Sequence, residues 1–208
     1  RKSCKAHQRR GKHYMKVPFL DLKASFTEIQ DEIENAVLDS IRSGQYIGGD
    51  SLHSFESSFK DFVSSDYCIG VANGLDALVL SLKVLGVKQG DEVIVPGFTY
   101  IAPAEAVAIL GAIPVYVDVI PGTYNIDYSK IEQAISPRTK AIIAVSLYGQ
   151  CPAFDAINAI ASEHGLPVIE DAAQSFGATY KGRRSCNLST IATTSFFPTK
   201  PLGCYGDG

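Results

Sequence analysis

The sequence predicts an α/β protein with a mostly parallel sheet flanked by helices, and three observations carry that prediction. From residue 92 onward, short runs rich in Val and Ile alternate with helical stretches of about 10–13 residues, the rhythm of successive strand–helix–strand units. Those runs are apolar at consecutive positions rather than alternate ones, as a sheet covered by helices on both faces requires. Before residue 92 the chain reads mainly helical, and 46% hydrophobic against 20% charged residues is enough for a sizeable soluble core.

The elements follow in order. FTEIQDEIENAVLDSIRSG (26–44) places Phe26, Ile29, Ile33, Val37 and Ile41 near one helical face and closes on Gly44. SLHSFESSFKDFV (51–63) begins at Ser51, a good N-cap, and carries Leu52, Phe55, Phe59 and Phe62 as one stripe. GLDALVLSLKVLG (74–86) is a strongly apolar third helix entered from VANG. The alternating half then runs DEVIVPG (strand), YIAPAEAVAILGA (helix), IPVYVDV (strand) and DYSKIEQAIS (amphipathic helix). KAIIAVSLYG (strand), AFDAINAIASEHG (helix stopping at Gly165), LPVIEDA (strand) and TIATTSFF (strand) complete it. There is no fixed-period repeat.

Charge and cysteine content exclude several classes of function. Seven of the 19 basic residues lie in residues 1–16, which hold no acid; the other 12 stand against 22 acidic residues, a net of −10. A basic tail can signal nucleic-acid binding. Here the only methionine is Met15, and the apolar pattern starts straight after it with VPFLDL. Residues 1–14 therefore read as a non-native or disordered extension, residues 15–208 as the folded part, and no nucleic-acid partner is expected. Cys4, His7 and His13 in that tail are too weak a set for a metal site. The five cysteines (Cys4, Cys68, Cys151, Cys186, Cys204) are odd in number and lack CxxC spacing, which suits reduced thiols in a cytoplasmic protein. No run of about 18 apolar residues exists to span a membrane, and no signal peptide is recognisable. The chain starts without methionine and ends on GDG, and it reads as a fragment.

In open α/β sheets, ligands bind beyond the carboxyl ends of the strands, and three places there hold chemistry. At VANGLDAL, the amides of Gly74, Leu75 and Asp76 open a helix and suit an anion. The same residues also suit a plain helix start capped by Asn73, with Asp76 matching the dipole. In PVIEDAAQSFGA, Glu170 and Asp171 close a strand and Gln174 follows; a carboxylate in so apolar a setting needs a cation or several donors, or else it caps the next turn. In TTSFFPTKPLGCYGDG, Lys200 stands five residues after Ser195. A buried lysine would lose its proton more readily and attack aldehydes, whereas an exposed one would be an ordinary loop residue. Taken together, an anion cradle, a strand-end acid and a nucleophilic amine are what pyridoxal 5'-phosphate needs. Tyr100, after the DEVIVPG strand, suits a ring to stack on it.

Residues 17–208 resemble the DegT/DnrJ/EryC1/StrS sugar aminotransferases. The motifs in order are GQYIGG, FESSFKDF, ANGLDAL, GDEVIVPGFTY, GAIPVYVDV, RTKAIIAVSLYG, VIEDAAQSFGA and SFFPTKPLGCYGDG. SLYGQC, GRRSCNLST and the final motif are closest to the branch that aminates the 3-keto group of a UDP-2-acetamido-2-deoxy-hexuluronate for surface polysaccharides. The resemblance implies the aspartate-aminotransferase fold (type I), cut before its small C-terminal domain, and a homodimer when full length. It implies an amino donor, L-glutamate, that leaves as 2-oxoglutarate. It gives Lys200 the Schiff base and proton shuttle, Asp171 the pyridinium nitrogen, and Gln174 the ring's phenolic oxygen. Ser195 with the amides of Leu75 and Asp76 takes the phosphate, and Tyr100 stacks on the ring. The family usually has threonine where this chain has Leu75, so a hydroxyl donor is lost and cofactor binding is expected to weaken by about 1–3 kcal/mol. Three alternatives stay open: an enzyme acting on a 4-keto dTDP or UDP sugar, an inactive regulatory homologue, and a nucleotide-binding Rossmann domain, which the lack of GxGxxG disfavours.

Overall fold

The computed structural model describes residues 17–208; the expectations for the basic extension and for Cys4, His7 and His13 lie outside the described residues. The N-terminal part is helical, with α1 (Leu22–Glu28), α2 (Gln30–Ser43), α3 (Asp50–Val63) and α4 (Gly74–Val84). The alternating part follows as β1 (Glu92–Pro96), α5 (Ala102–Ile109), β2 (Ile113–Val117), a 3₁₀ turn at Tyr128–Lys130 and α6 (Ile131–Ala134). It continues with β3 (Thr139–Val145), α7 (Phe154–Glu163), β4 (Val168–Asp171), β5 (Thr179–Tyr180), β6 (Arg183–Arg184) and β7 (Ile191–Thr193).

Five strands form one sheet in the order β2-β1-β3-β4-β7, and every pairing in it is parallel. The two-faced apolar pattern is realised residue by residue. Val93 and Val95 of β1 pack with Leu78, Leu82 and Val107 of α4 and α5. Ile94 between them faces Phe154 and Ile157 of α7. Each such side chain, fully removed from water, contributes about 1.5–3 kcal/mol. A third cluster joins Phe59 and Val63 of α3 to Ala172 and Cys186, clamping that helix over the end of β4. Because all five strands run the same way, their carboxyl ends share one edge, and the loops after β1, β3, β4 and β7 meet there.

Four local expectations need correction. The helix expected over 26–44 is two helices, since Ile29 leaves helical geometry at φ −128°, ψ 24° and its amide bonds Phe26 O. Asp21 caps the first by accepting from the Ala24 amide at 2.9 Å. The α3 helix starts at Asp50, not after a Ser51 cap. Gly48 and Gly49 turn the chain there at φ 69° and 86°, and a Cβ on Gly49 would come within 2.8 Å of Gln45 Oε1, so the backbone sets the cap at Gly49, two residues before Ser51. The DYSKIEQAIS helix is only a 3₁₀ turn and one α turn. The antiparallel β5–β6 hairpin was not expected; Lys181 and Gly182, both left-handed at φ 50° and 81°, make its two-residue turn.

Candidate functional site

Asp171 is the last residue of β4, and its carbonyl accepts from the Ser146 amide at 3.0 Å, extending the ladder between β3 and β4. Its side chain is buried, at 6% exposure. The Ala173 amide donates to Oδ1 at 3.0 Å, and no donor among the described residues reaches the second oxygen. Burial pushes the carboxyl above the usual range, while the Ala173 amide and the charge of Lys200 pull it partly back. Glu170, one residue earlier, faces the opposite side, as neighbours on a strand must. Its carboxylate accepts from Ser185 Oγ at 2.6 Å and from the Leu188 amide at 3.2 Å, tying the segment that leads into β7 to the sheet.

Lys200 lies in the turn after β7, where its amide donates to Phe197 O at 2.8 Å. It is half-buried, between the buried and exposed alternatives that its sequence left open. Its Nζ lies 5.8 Å from the centroid of the Tyr100 ring, and its charge draws the Asp171 carboxyl downward without an ion pair between the two. Tyr100 itself is 67% exposed and presents an open ring at the edge of the sheet.

The start of α4 meets the same edge. A Cβ on Gly74 would come within 2.8 Å of Ser195 Cβ and 3.3 Å of Thr194 O, so only glycine lets the helix start lie against Ser195. Asn73 Oδ1 accepts from the Asp76 amide at 2.9 Å. The helix is therefore capped, and the Asp76 amide is already engaged. The Gly74 and Leu75 amides have no acceptor among the described residues and, beside Ser195 Oγ, form the anion-seeking end. Ser195 Oγ accepts from the Phe197 amide at 3.2 Å. The Leu75 side chain packs against the apolar cluster under α4, away from any hydrogen-bonding role.

Gln174 follows Asp171 by three residues, and its Oε1 accepts from the Tyr148 amide at 2.9 Å. Sequence reasoning missed Tyr148, although an aromatic residue next to glycine at the end of the β3 run is a signal. It also missed the exposed aromatic row of Phe98, Tyr124 and Tyr148 along this edge. Cys68, Cys151, Cys186 and Cys204 are free, and burial, with Glu170 nearby, pushes the Cys186 thiol up to about 12. Among the described residues no group of His, Cys, Asp and Glu could hold a metal ion, and no helix is long and apolar enough to cross a membrane.

The structure thus brings Gly74, Leu75, Tyr100, Asp171, Gln174, Ser195 and Lys200 to one edge of the sheet. A sequence model described as the DegT/DnrJ/EryC1/StrS aminotransferase family matches residues 27–208. The chain belongs to this family. Among its relatives is the UDP-2-acetamido-2-deoxy-3-oxo-D-glucuronate aminotransferase of Pseudomonas aeruginosa, 63% identical over 192 residues, a match covering 92% of this chain and 54% of that protein. Two solved structures of similar fold are S. venezuelae DesV in complex with a ketimine intermediate and NtdA of Bacillus subtilis with bound cofactor PMP. The first superposes with TM-score 0.90 at 46% identity, covering 92% of this chain and 52% of that one. The second does so with TM-score 0.86 at 36% identity, covering 96% and 45%. The chain spans about half the length of these relatives.

Proposed function

We propose that this chain is the cofactor-binding part of a pyridoxal 5'-phosphate-dependent sugar-nucleotide aminotransferase. In the reaction, the 3-keto group of a UDP-2-acetamido-2-deoxy-hexuluronate becomes an amine while L-glutamate becomes 2-oxoglutarate, a step toward surface polysaccharides. Similarity to the P. aeruginosa aminotransferase supports the choice of acceptor. The observation that carries the chemistry is Asp171: a buried carboxylate with one oxygen lacking a donor among the described residues, at the sheet edge where Lys200 lies beside the Tyr100 ring.

The residues present fit the cofactor. A buried acid with a vacant acceptor suits a pyridinium N–H, and the close approach of Gly74 to Ser195 leaves two amides and a hydroxyl for a phosphate. When bound, the group supplies an aldehyde that carries the amino group between substrates and a ring that accepts electrons. Asp171 holds the ring nitrogen protonated. Gly74, Leu75 and Ser195 hold the phosphate, Gln174 donates to the ring oxygen, and Tyr100 covers a ring face and keeps water from it. Lys200 would hold the cofactor's aldehyde carbon through Nζ, with loss of water, and when free would carry the proton at the substrate's amine-bearing carbon. The same reading extends to a homodimer in the cytoplasm when the protein is full length.

Titration of the full-length protein with pyridoxal phosphate tests this reading. A visible absorbance band shifted to longer wavelength than that of free pyridoxal phosphate should appear with the unmodified protein, and the shift should be lost in Lys200→Ala. A shift that persists in the variant would remove Lys200 from its role, and no shift in either would remove the cofactor.

A further inference from the structure

Tyr148 holds a backbone conformation that its side chain does not explain. Its φ is 55° and its ψ 26°, the left-handed region that bulky side chains seldom adopt. Its ring is 70% exposed, and its one aromatic neighbour among the described residues is Tyr124, perpendicular to it at 6.4 Å between centroids. The loop is pinned on both sides of it. Leu147 is buried in the core, and the Gln150 carbonyl accepts from Asn125 Nδ2 at 3.0 Å. The Ser146 amide donates to Asp171 O at 3.0 Å. Left-handed geometry at Tyr148 turns its own amide onto Gln174 Oε1. The loop after β3 therefore grips the Asp171–Gln174 segment twice, once at each residue given a cofactor role.

The chemistry of that second grip is directional. A backbone N–H can only donate, so the Gln174 atom it meets is the oxygen. The amide's NH₂ branch then lies on the other side, with no acceptor among the described residues. Unheld, Gln174 could turn either an acceptor or a donor toward the site. Held, it presents donors, which an anionic ring oxygen requires. We infer that Tyr148 is a positioning residue that acts through its backbone amide rather than its ring, fixing Gln174 with its NH₂ toward the cofactor's phenolic oxygen. This rests on the pyridoxal phosphate reading above.

Three substitutions in the full-length enzyme separate backbone from ring. Tyr148→Gly and Tyr148→Asn tolerate left-handed geometry and keep the amide in place. Tyr148→Val, β-branched, disfavours it. Tyr148→Val should weaken pyridoxal phosphate by about tenfold, the effect of one charge-assisted hydrogen bond. It should also lower the visible band relative to the near-ultraviolet one, because the donor stabilises the anionic ring oxygen. Tyr148→Gly and Tyr148→Asn should stay within about twofold of the unmodified protein and keep its spectrum. In the cofactor-free protein, Gln174→Ala should speed hydrogen exchange at the Tyr148 amide. The inference is overturned if Gly and Asn lose as much as Val, if Val matches the unmodified protein, or if the exchange rate does not change. If the unmodified protein takes up no pyridoxal phosphate, the proposed function fails and this inference with it; if it does and Val is indifferent, this inference alone fails.

Discussion

Leu75 lies in the anion-seeking end of α4, where the resemblance to the family leads one to expect threonine. Its amide is free to bind a phosphate, while its side chain serves the core. Leu75→Thr exchanges some apolar contact for a hydroxyl at the helix start. It should tighten pyridoxal phosphate by about 1 kcal/mol, roughly fivefold, and lower stability by a similar amount. An absorbance titration and a thermal melt read the two effects separately, and a variant that binds no tighter would assign the phosphate to the backbone and Ser195. Glu170 gives a pH prediction. Burial, opposed by the Ser185, Cys186 and Leu188 hydrogen bonds, holds its carboxyl above the ordinary value. The folded state thus keeps a proton that the unfolded chain releases, and stability falls as pH climbs from the ordinary glutamate range through the raised folded value. Glu170→Gln removes that slope. Its melting temperature should vary less with pH above the ordinary glutamate value than that of the unmodified protein. An unchanged slope would mean that Glu170 is charged when folded.

At the scale of elements, helix starts distinguish what sequence can and cannot specify. Asn73 was legible as a cap because its side chain does the capping, and Asn73→Ala should cost about 1 kcal/mol. Ser51 looked as good on paper, but Gly48 and Gly49 set that turn through their backbone, so Ser51→Ala should change stability by less than about 0.5 kcal/mol. Urea unfolding of both variants tests the contrast. The central strands β1, β3 and β4 were legible because each is a buried apolar run between turn residues, whereas the β5–β6 hairpin has two-residue strands too short for any periodicity to register. The face assignment of the Glu170–Asp171 pair was hidden for another reason: strand period fixes that the two diverge, but which one faces the site depends on the neighbours of β4. The α3 stripe was read correctly as apolar, and its partners are distant in sequence. Phe59 lies 5.6 Å from Phe176 and 5.9 Å from Phe196, and Phe59→Ala should cost about 3 kcal/mol and loosen the helix over the end of β4.

For the molecule as a whole, the parallel sheet gathers Gly74, Leu75, Tyr100, Asp171, Gln174, Ser195 and Lys200 at one edge. Under the proposed function Lys200 would serve the amino donor and the keto sugar in turn, with the amino group kept between the two stages. The full-length enzyme should then show parallel double-reciprocal lines when L-glutamate and the keto sugar nucleotide are varied together, and intersecting lines would reject the two-stage order. The stages can also be separated. Loaded protein given L-glutamate without the sugar should release 2-oxoglutarate in step with the number of sites and then stop, restarting only when the sugar is added. Lys200→Ala keeps Gly74, Leu75 and Ser195 for the phosphate and Asp171 for the ring, so it should still retain the cofactor. Without an amine to move the proton at the substrate carbon, its glutamate half-reaction should slow by about a thousandfold or more. Retained cofactor with lost half-reaction places the lysine in the chemistry, whereas loss of both would reduce it to an anchor.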